Sequence, residues 1–243
     1  MDDVRARPRH PWSGFRDATV VLAEYTAESL YGLFHPAWRD SGATETESSE
    51  RLPGDEVVQR PNWQATRAIT IDACSDRVWP WLAQMGYGRG GWYGDLPWWK
   101  DPAGHTGPAS SARQLLPEAM QIAAGDILLD GPNCDETTGA WRVVEVDPGH
   151  SLVLFSARTV SGREVHEGGP YPPSWFSCSW AFVLRPEDDA RCRLLTRTRI
   201  DYRPAWMVRA AAVFRTGDTV MQRAMLIGLK RRVEADRPMQ HES

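Results

Sequence analysis

The chain has 243 residues, enough for one large domain or two small ones, and 42% of them are hydrophobic, which supports a buried core. Its formal net charge of −4 argues against a nucleic-acid-binding protein held by contacts to phosphates. Composition therefore predicts a globular protein that is soluble in water.

Tryptophan is unusually frequent, with twelve residues in the chain. Aromatic rings offer large, flat apolar surfaces, so they either fill a core or line a cavity for a ligand. Core packing is the expected role of most of them, and a cavity lined by the others is the functional alternative.

The first ten residues are charged and contain no apolar signal-peptide core, so we expect a cytoplasmic protein. Residues Asp17–Phe34 have a helical apolar stripe, which Glu24 and Glu28 interrupt, and the stripe is too short to span a membrane. We expect this helix to pack on the outside of the main domain. Weak contact with a membrane surface, or with a partner protein, is the alternative.

The segment Ser41–Glu50 is acidic and rich in turn-forming residues, which predicts a flexible linker. We therefore divide the chain into an N-terminal helical extension with this linker (residues 1–60), a main domain (61–238) and a short tail (239–243).

Residues Thr66–Ile71 alternate in character, with Arg67, Ile69 and Ile71 on one face, which predicts a β-strand. A helix follows, with Ser75 as its predicted N-cap and Gly86 at its end. Pro80 interrupts the hydrogen-bonding pattern, so the helix is expected to be short or kinked.

A set of segments in this chain is shared with one known superfamily, and it consists of LPGDEVV, TRAITIDACSDRVWPWLAQMG, GRGGWYG, LLPEAMQIAAGD, SWAFVLRP and MLIGLKRR. By these segments the chain resembles the START-related SRPBCC superfamily, in particular its bacterial polyketide cyclase/dehydrase-like branch. The resemblance covers about three quarters of the chain. It implies an α+β helix-grip fold, in which a curved antiparallel sheet surrounds a long C-terminal helix and leaves a cavity. It implies no particular chemistry, because the superfamily contains cyclases, hydrolases, lipid carriers and plain binding proteins.

The segment Tyr87–Pro117 is rich in glycine and proline and too irregular for one helix, which is typical of a segment that covers a cavity. Its G-R-G-G run at residues 88–91 lacks the spacing of a nucleotide-binding loop. Residues Ala109–Ala123 are predicted to form a second helix, unless Pro117 starts a new segment.

Strands and turns follow from Gly125. The predicted strands form a meander that ends in a hairpin, and they are Asp126–Asp130, Ala140–Val146, Ser151–Val160, Trp175–Leu184 and Arg191–Tyr202. The apolar faces of the hairpin are expected to point inwards, as residues Phe176, Cys178, Trp180, Phe182 and Leu184 on one arm and Cys192, Leu194, Thr196, Thr198, Ile200 and Tyr202 on the other. Arg193, Arg197 and Arg199 then point outwards, and we expect them to form a row in solvent.

The four cysteines have no spacing that suggests zinc binding. The apolar faces of the hairpin match if Cys178 lies opposite Thr196 or Thr198, and that register places Cys178 and Cys192 too far apart for a disulfide. We expect all four to be reduced, and we expect neither a metal nor a cofactor.

A last helix is predicted from Pro204 to the basic run Lys230–Arg232, with a possible bend at Gly217. Methionine fills irregular space, so Met221 and Met225 either form one wall of a cavity or belong to the ordinary helix core.

Few side chains in the sequence could move protons. His105 is the main candidate, because the pKa of histidine lies near neutrality, and Asp95 is its possible partner or the base. Tyr93 and Tyr202 could donate to a carbonyl or a developing enolate. Each has a structural alternative: His105 in an exposed loop, Asp95 capping a turn, and Tyr202 packing at the end of a strand.

The residues that we place at the cavity wall are aromatic, thioether or hydroxyl side chains, namely Trp92, Trp98, Trp99, Trp141, Trp180, Thr198, Met221 and Met225. Two functions compete. One is an enzyme that cyclises, dehydrates or otherwise performs an acid/base step on a small hydrophobic, aromatic or polyketide-like molecule; the other is a carrier or sensor that only binds such a molecule. A partner-binding module that uses the N-terminal helix is a weaker third possibility.

Overall fold

The computed structural model describes residues 40–94, 111–131, 134–165 and 170–236. Within these ranges the strands are β1 (Trp63–Ile71), β2 (Ile127–Leu129), β3 (Ala140–Asp147), β4 (Ser151–Thr159), β5 (Trp175–Pro186) and β6 (Cys192–Arg203). The α-helices are α1 (Glu45–Ser49), α2 (Ser75–Ala83), α3 (Met207–Ala210) and α4 (Ala212–Ala235), and a 3₁₀ turn spans Pro117–Ala119. The predicted N-terminal helix Asp17–Phe34 lies outside the described residues.

The strands form one antiparallel sheet in the order β1-β6-β5-β4-β3-β2. The meander from β2 to β6 is confirmed, and β1 joins it by pairing with β6. The fold is therefore α+β, with the first strand of the sheet placed beside the last.

The pairing of β5 with β6 differs from the expected register, because Cys178 lies opposite Ile200 rather than Thr196 or Thr198. Alternation fixes which face a residue occupies, but it leaves shifts of two residues open. The inward faces are as predicted, and all four cysteines are free.

The inner face of the sheet packs against α2 and the second half of α4. Met225, Leu226, Leu229 and Val233 of α4 belong to the main core cluster, together with Trp180, Phe182 and Leu184 of β5. The last helix is interrupted at Ala211, between α3 and α4, and α4 continues through Gly217 without interruption. The helix is therefore not broken at Gly217, and the possible bend there stays a prediction.

Helix α2 is short, as its proline predicted, and ends at Ala83, before Gly86. Its N-cap is Cys74 and makes no side-chain cap bond, so the prediction that Ser75 caps the helix is wrong. The second predicted helix is also wrong within the described residues, since only the 3₁₀ turn at Pro117–Ala119 forms there. Proline at the start of that turn begins a new segment.

The outer face of the sheet is covered by residues 40–58, which we call the outer strap. Its helix α1 begins with a capping box, in which Thr44 Oγ1 accepts from the Glu47 amide at 3.2 Å and Glu47 Oε2 accepts from the Thr44 amide at 2.7 Å. Leu52 packs on Ala68, Val183 and Leu195 of the sheet. The prediction of a flexible linker at Ser41–Glu50 is therefore wrong.

The strap also changes the role of the outer arginines. Arg193 pairs with Glu47 at 2.8 Å and Arg197 with Asp55 at 2.9 Å, and the Arg197 side chain is only 1% exposed. Arg193, Arg197 and Arg199 do face away from α4, but the row that they form is covered by the strap and not solvated. Acidic residues of the strap form ion pairs with these arginines, and the prediction of a flexible segment did not anticipate this.

Within the described ranges, no helix is both long and apolar enough to cross a membrane.

Candidate ligand-binding site

A cavity of about 640 Å³ lies between the inner face of the sheet and the first half of α4. The second half of α4 packs in the core, and the described α4 residues that border the cavity lie between Arg215 and Met225. The sheet contributes Trp63 of β1, Arg158 of β4, Phe176 and Trp180 of β5, and Tyr202 of β6.

One wall of the cavity is aromatic. The Trp180 ring stacks on Trp92, with centroids 5.5 Å apart and planes at 17°, and it lies 5.4 Å from the ring of Trp141. The indole N–H of Trp92 donates to the Leu129 carbonyl oxygen at 3.1 Å, and that of Trp141 donates to Asp130. These two N–H groups are already bonded, whereas the buried indole N–H of Trp180 has no hydrogen-bond partner among the described residues. The wall therefore offers a ligand its apolar ring surfaces and one unused donor.

Asp130 lies at one end of this wall, immediately after β2. Its Oδ1 accepts the Trp141 Nε1 hydrogen at 2.7 Å, which holds the carboxylate in place. Burial raises the pKa of Asp130, while the bond from Trp141 and the nearby Arg158 lower it. The side chain keeps some exposed surface, and this surface borders the cavity.

Arg158 is a cation whose charge acts on Asp130, and it is 7% exposed. Its guanidinium donates to Ser156 Oγ at 2.7 Å, to the Gly162 carbonyl oxygen at 3.2 Å and to the Ala140 carbonyl oxygen. In the part of the chain that the structure describes, no carboxylate forms an ion pair with it. Arg158 therefore places a buried positive charge near Asp130 without directly neutralising it.

A second polar group lines the cavity on α4. The fully buried Arg67 donates to Gln222 Oε1 at 3.0 Å, to Thr219 Oγ1 at 2.7 Å and to Asp218 Oδ2 at 3.3 Å. Gln222 in turn donates to Thr198 Oγ1 at 2.8 Å. These bonds pair Asp218, Thr219 and Gln222 of α4 with groups of the protein, and the buried Nε of Arg67 is left without a partner in the described ranges.

Tyr202 is 8% exposed and borders the cavity, as does the buried Cys178. Burial raises the pKa of Tyr202 to about 12, so its hydroxyl stays protonated near neutral pH. Burial also raises the pKa of the Cys178 thiol well above its usual value, which disfavours the nucleophilic thiolate.

Tyr93 does not border the cavity, and the prediction that it donates to a ligand is wrong. Its hydroxyl donates to the Trp81 carbonyl oxygen at 2.8 Å and accepts from Gln84 Nε2 at 3.0 Å, inside the core. Burial raises its pKa. Its backbone has φ of 57°, and its carbonyl lies against Gly228 of α4. Tyr93 therefore anchors the segment after α2 to the long helix.

The other predicted residues divide into two groups. The structure places Trp92, Trp141, Trp180, Thr198, Met221 and Met225 at the cavity surface. His105, Asp95, Trp98 and Trp99 lie outside the described residues, so their proposed roles stay predictions. Among the described residues no group of three potential ligands could hold a metal ion.

Sequence reasoning missed Asp130, Arg158 and the network around Arg67. A signal existed for Arg67, because a charged residue that shares a strand face with Ile69 and Ile71 must be buried with partners. Asp218 and Gln222 are one helical turn apart, which places them on one face of α4. Nothing local marks Asp130, since its position depends on pairing with Trp141 in the next strand.

No family model matches the chain, and no curated protein matches it. Several solved structures of bacterial proteins are similar to it. A hypothetical protein of Helicobacter pylori is 14% identical, with a TM-score of 0.41 over 78% of this chain and 98% of that one. A protein of Nitrosospira multiformis is 16% identical, with a TM-score of 0.41 over 72% and 100%, and one of Thermobifida fusca is 18% identical, with a TM-score of 0.38 over 74% and 99%. Likenesses at this level leave the activity to be argued from the residues of this chain.

Proposed function

We propose that this protein binds a small, predominantly apolar molecule with aromatic rings in the cavity between the inner face of the sheet and α4. The observation that carries this proposal is the cavity itself. Its volume of about 640 Å³ falls within the range typical of small-molecule pockets, about 300–1,000 Å³. The neighbouring rings of Trp92, Trp180 and Trp141 offer such a molecule an aromatic surface on which to stack.

The sequence resemblance to the SRPBCC superfamily supports the same proposal. A single antiparallel sheet followed by a long C-terminal helix is the order of elements that a helix-grip fold requires. The proposal therefore includes the helix-grip fold for this chain, and a polyketide-like compound is the ligand class that the resemblance favours.

Fluorescence titration with 1-methylpyrene, an apolar aromatic probe, tests the proposal. Met221 borders the cavity and is 48% exposed, so Met221→Trp can narrow the cavity without overfilling the core. Val160 is 65% exposed and does not border the cavity, so Val160→Trp is the matched control. We expect Met221→Trp to weaken probe binding about tenfold, a loss of about 1.4 kcal/mol, and Val160→Trp to leave it unchanged. Absence of saturable binding, or equal behaviour of the two variants, would contradict the proposal.

Catalysis of an acid/base step such as cyclisation or dehydration is the second candidate function. It is favoured by Asp130, a carboxylate at the cavity surface whose pKa is raised by burial, as is common for catalytic bases. Tyr202 would supply a neutral hydroxyl to a carbonyl oxygen. A non-catalytic carrier would use the same cavity without the proton transfer.

Proton exchange of 2-tetralone in D₂O separates the two candidates. Abstraction of a proton next to the carbonyl would move that proton to the Asp130 carboxylate, and deuterium from solvent would replace it. For an enzyme we expect the protein to accelerate the loss of the ¹H NMR signal, and Asp130→Asn to reduce that acceleration about 100-fold. An exchange rate that the protein leaves unchanged would favour the carrier.

A further inference from the structure

The Asp130 end of the cavity differs chemically from its other surfaces. One carboxylate oxygen is held by Trp141 Nε1 at 2.7 Å. No residue in the described ranges donates a hydrogen bond to the other oxygen, Oδ2. Asp130 therefore presents a fixed acceptor whose capacity is only partly used by the protein.

The neighbouring groups do not supply the missing donor. The Trp92 indole N–H is bonded to the Leu129 carbonyl oxygen. Arg158 directs three of its N–H groups to Ser156, Gly162 and Ala140. Oδ2 is not one of the fully buried side-chain atoms that lack a partner in the described part of the chain, and Asp130 borders the cavity, so a donor from a bound molecule can reach this oxygen.

The charges around Asp130 restrict the kind of donor. The buried guanidinium of Arg158 acts on Asp130 and lowers the affinity of this end for an ammonium group. Asp130 itself repels a carboxylate. A neutral hydroxyl satisfies both conditions, because it donates to the carboxylate and carries no charge that Arg158 opposes.

We infer that Asp130 is the recognition site for a hydroxyl group of the ligand, so that the cavity selects phenols or alcohols carried on an aromatic frame. The stacked rings of Trp92 and Trp180 receive the frame, and Trp141 links this wall to Asp130 by its indole N–H. This inference rests on the proposed function, because it specifies which molecules the same cavity binds.

Three probes of similar size test it, namely 1-hydroxypyrene, 1-methylpyrene and 1-pyrenecarboxylate, each titrated by fluorescence against the whole protein. A hydrogen bond to a charged group contributes about 1.5–3 kcal/mol, which corresponds to a tenfold or larger change in Kd. We expect the wild-type protein to bind 1-hydroxypyrene about tenfold more tightly than 1-methylpyrene, and the carboxylate more weakly than either.

Asp130→Asn retains the shape of the side chain and an oxygen for Trp141, but removes the charged acceptor. We expect it to reduce the preference for 1-hydroxypyrene over 1-methylpyrene to within about threefold. Asp189→Asn is the matched control, because it removes the same charge at an exposed position in the turn after β5.

The outcomes are distinguishable. If 1-methylpyrene does not bind, the proposed function fails, and the inference fails with it. If 1-methylpyrene binds but the wild-type protein shows no preference for the hydroxyl, or the preference persists in Asp130→Asn, the inference alone is overturned. Tightest binding of the carboxylate would overturn it in favour of an anion site at Arg158.

Discussion

Replacement of Arg197 by methionine tests how the outer strap is attached to the sheet. The Arg197 guanidinium donates to the backbone carbonyl oxygens of Glu47, Ser48 and Glu50 at 2.7, 3.1 and 2.7 Å, to Asp55 Oδ2 at 2.9 Å and to Thr66 Oγ1 at 2.9 Å. With an exposed fraction of only 1%, it makes these bonds out of water. Methionine fills a similar volume but removes the donor of all these bonds. Asp55 Oδ2 still accepts from the Leu52 amide at 3.1 Å, and the Ser48 carbonyl oxygen from Gln64 Nε2 at 3.3 Å.

The magnitude follows from the kind of bond that is broken. Removal of one partner of a buried ion pair costs about 3–5 kcal/mol, because the other charge stays buried without a partner. Asp55 keeps Arg199 at 3.3 Å, which reduces the penalty. We therefore expect a loss of about 3 kcal/mol in the free energy of unfolding, which a domain with the usual 5–15 kcal/mol can survive.

Urea denaturation measures this loss, and hydrogen exchange of the backbone amides locates it. Protection should fall first in residues 40–58, because the removed bonds lie there. Arg191→Met is the matched control: Arg191 pairs with Asp188 at 2.8 Å on the surface, and such exposed pairs contribute less than about 1 kcal/mol. Equal destabilisation by the two variants, or unchanged protection of the strap, would refute the reasoning.

Two further predictions concern α4 and acid stability. Gly228→Ala would place a Cβ 1.9 Å from the Tyr93 carbonyl oxygen, so it should destabilise the protein by about 1–3 kcal/mol. Gly217→Ala meets no atom of the described residues within contact distance and should stabilise α4 by up to about 1 kcal/mol. Thermal unfolding of both variants measures the two effects, and equal shifts in Tm would contradict the described packing of Gly228. The bond from Arg193 lowers the pKa of Glu47 from 4.5 to about 2, so the stabilisation by ionised Glu47 is fully present above pH 4.5 and is lost as the pH falls towards 2. Glu47→Gln should have a lower free energy of unfolding than the wild type at pH 7, and this free energy should fall less than that of the wild type between pH 4.5 and 2. Urea titrations at several pH values measure both, and parallel dependences of stability on pH would contradict the prediction.

The sheet was predictable from the sequence, because alternation identifies a strand and the face of each residue. The alternation placed every second residue from Phe176 to Leu184, and from Cys192 to Tyr202, correctly on the inner face. It could not fix the register, since a shift by two residues preserves the same faces. The pairing of Cys178 with Ile200 is set by the whole hairpin and not by any one residue.

The outer strap was missed for a different reason. A segment with few apolar residues usually buries too little apolar surface to offset its loss of conformational entropy, and SGATETESSE has that composition. Here its acidic residues meet arginines that lie far away in the sequence, such as Glu47 with Arg193. Charge complementarity between distant segments has no periodic signal, so it becomes visible only in the folded chain.

The cavity was partly predictable. Trp180 and Thr198 followed from strand alternation, and Met221 and Met225 from helical spacing. Asp130 did not follow, because a carboxylate just after a short strand is usually part of a turn. In the folded chain Asp130 accepts a bond from Trp141 of β3 and borders the cavity.

The most direct test of ligand binding in this cavity is a titration of ¹⁵N-labelled protein with 1-methylpyrene, followed by the indole N–H signals in two-dimensional NMR spectra. Binding in the cavity predicts that the signals of Trp63, Trp92, Trp141 and Trp180 shift. The fully buried Trp81, which does not border the cavity, and the exposed Trp206 should keep their positions. Shifts confined to Trp206, or no shift at saturating probe, would contradict the account.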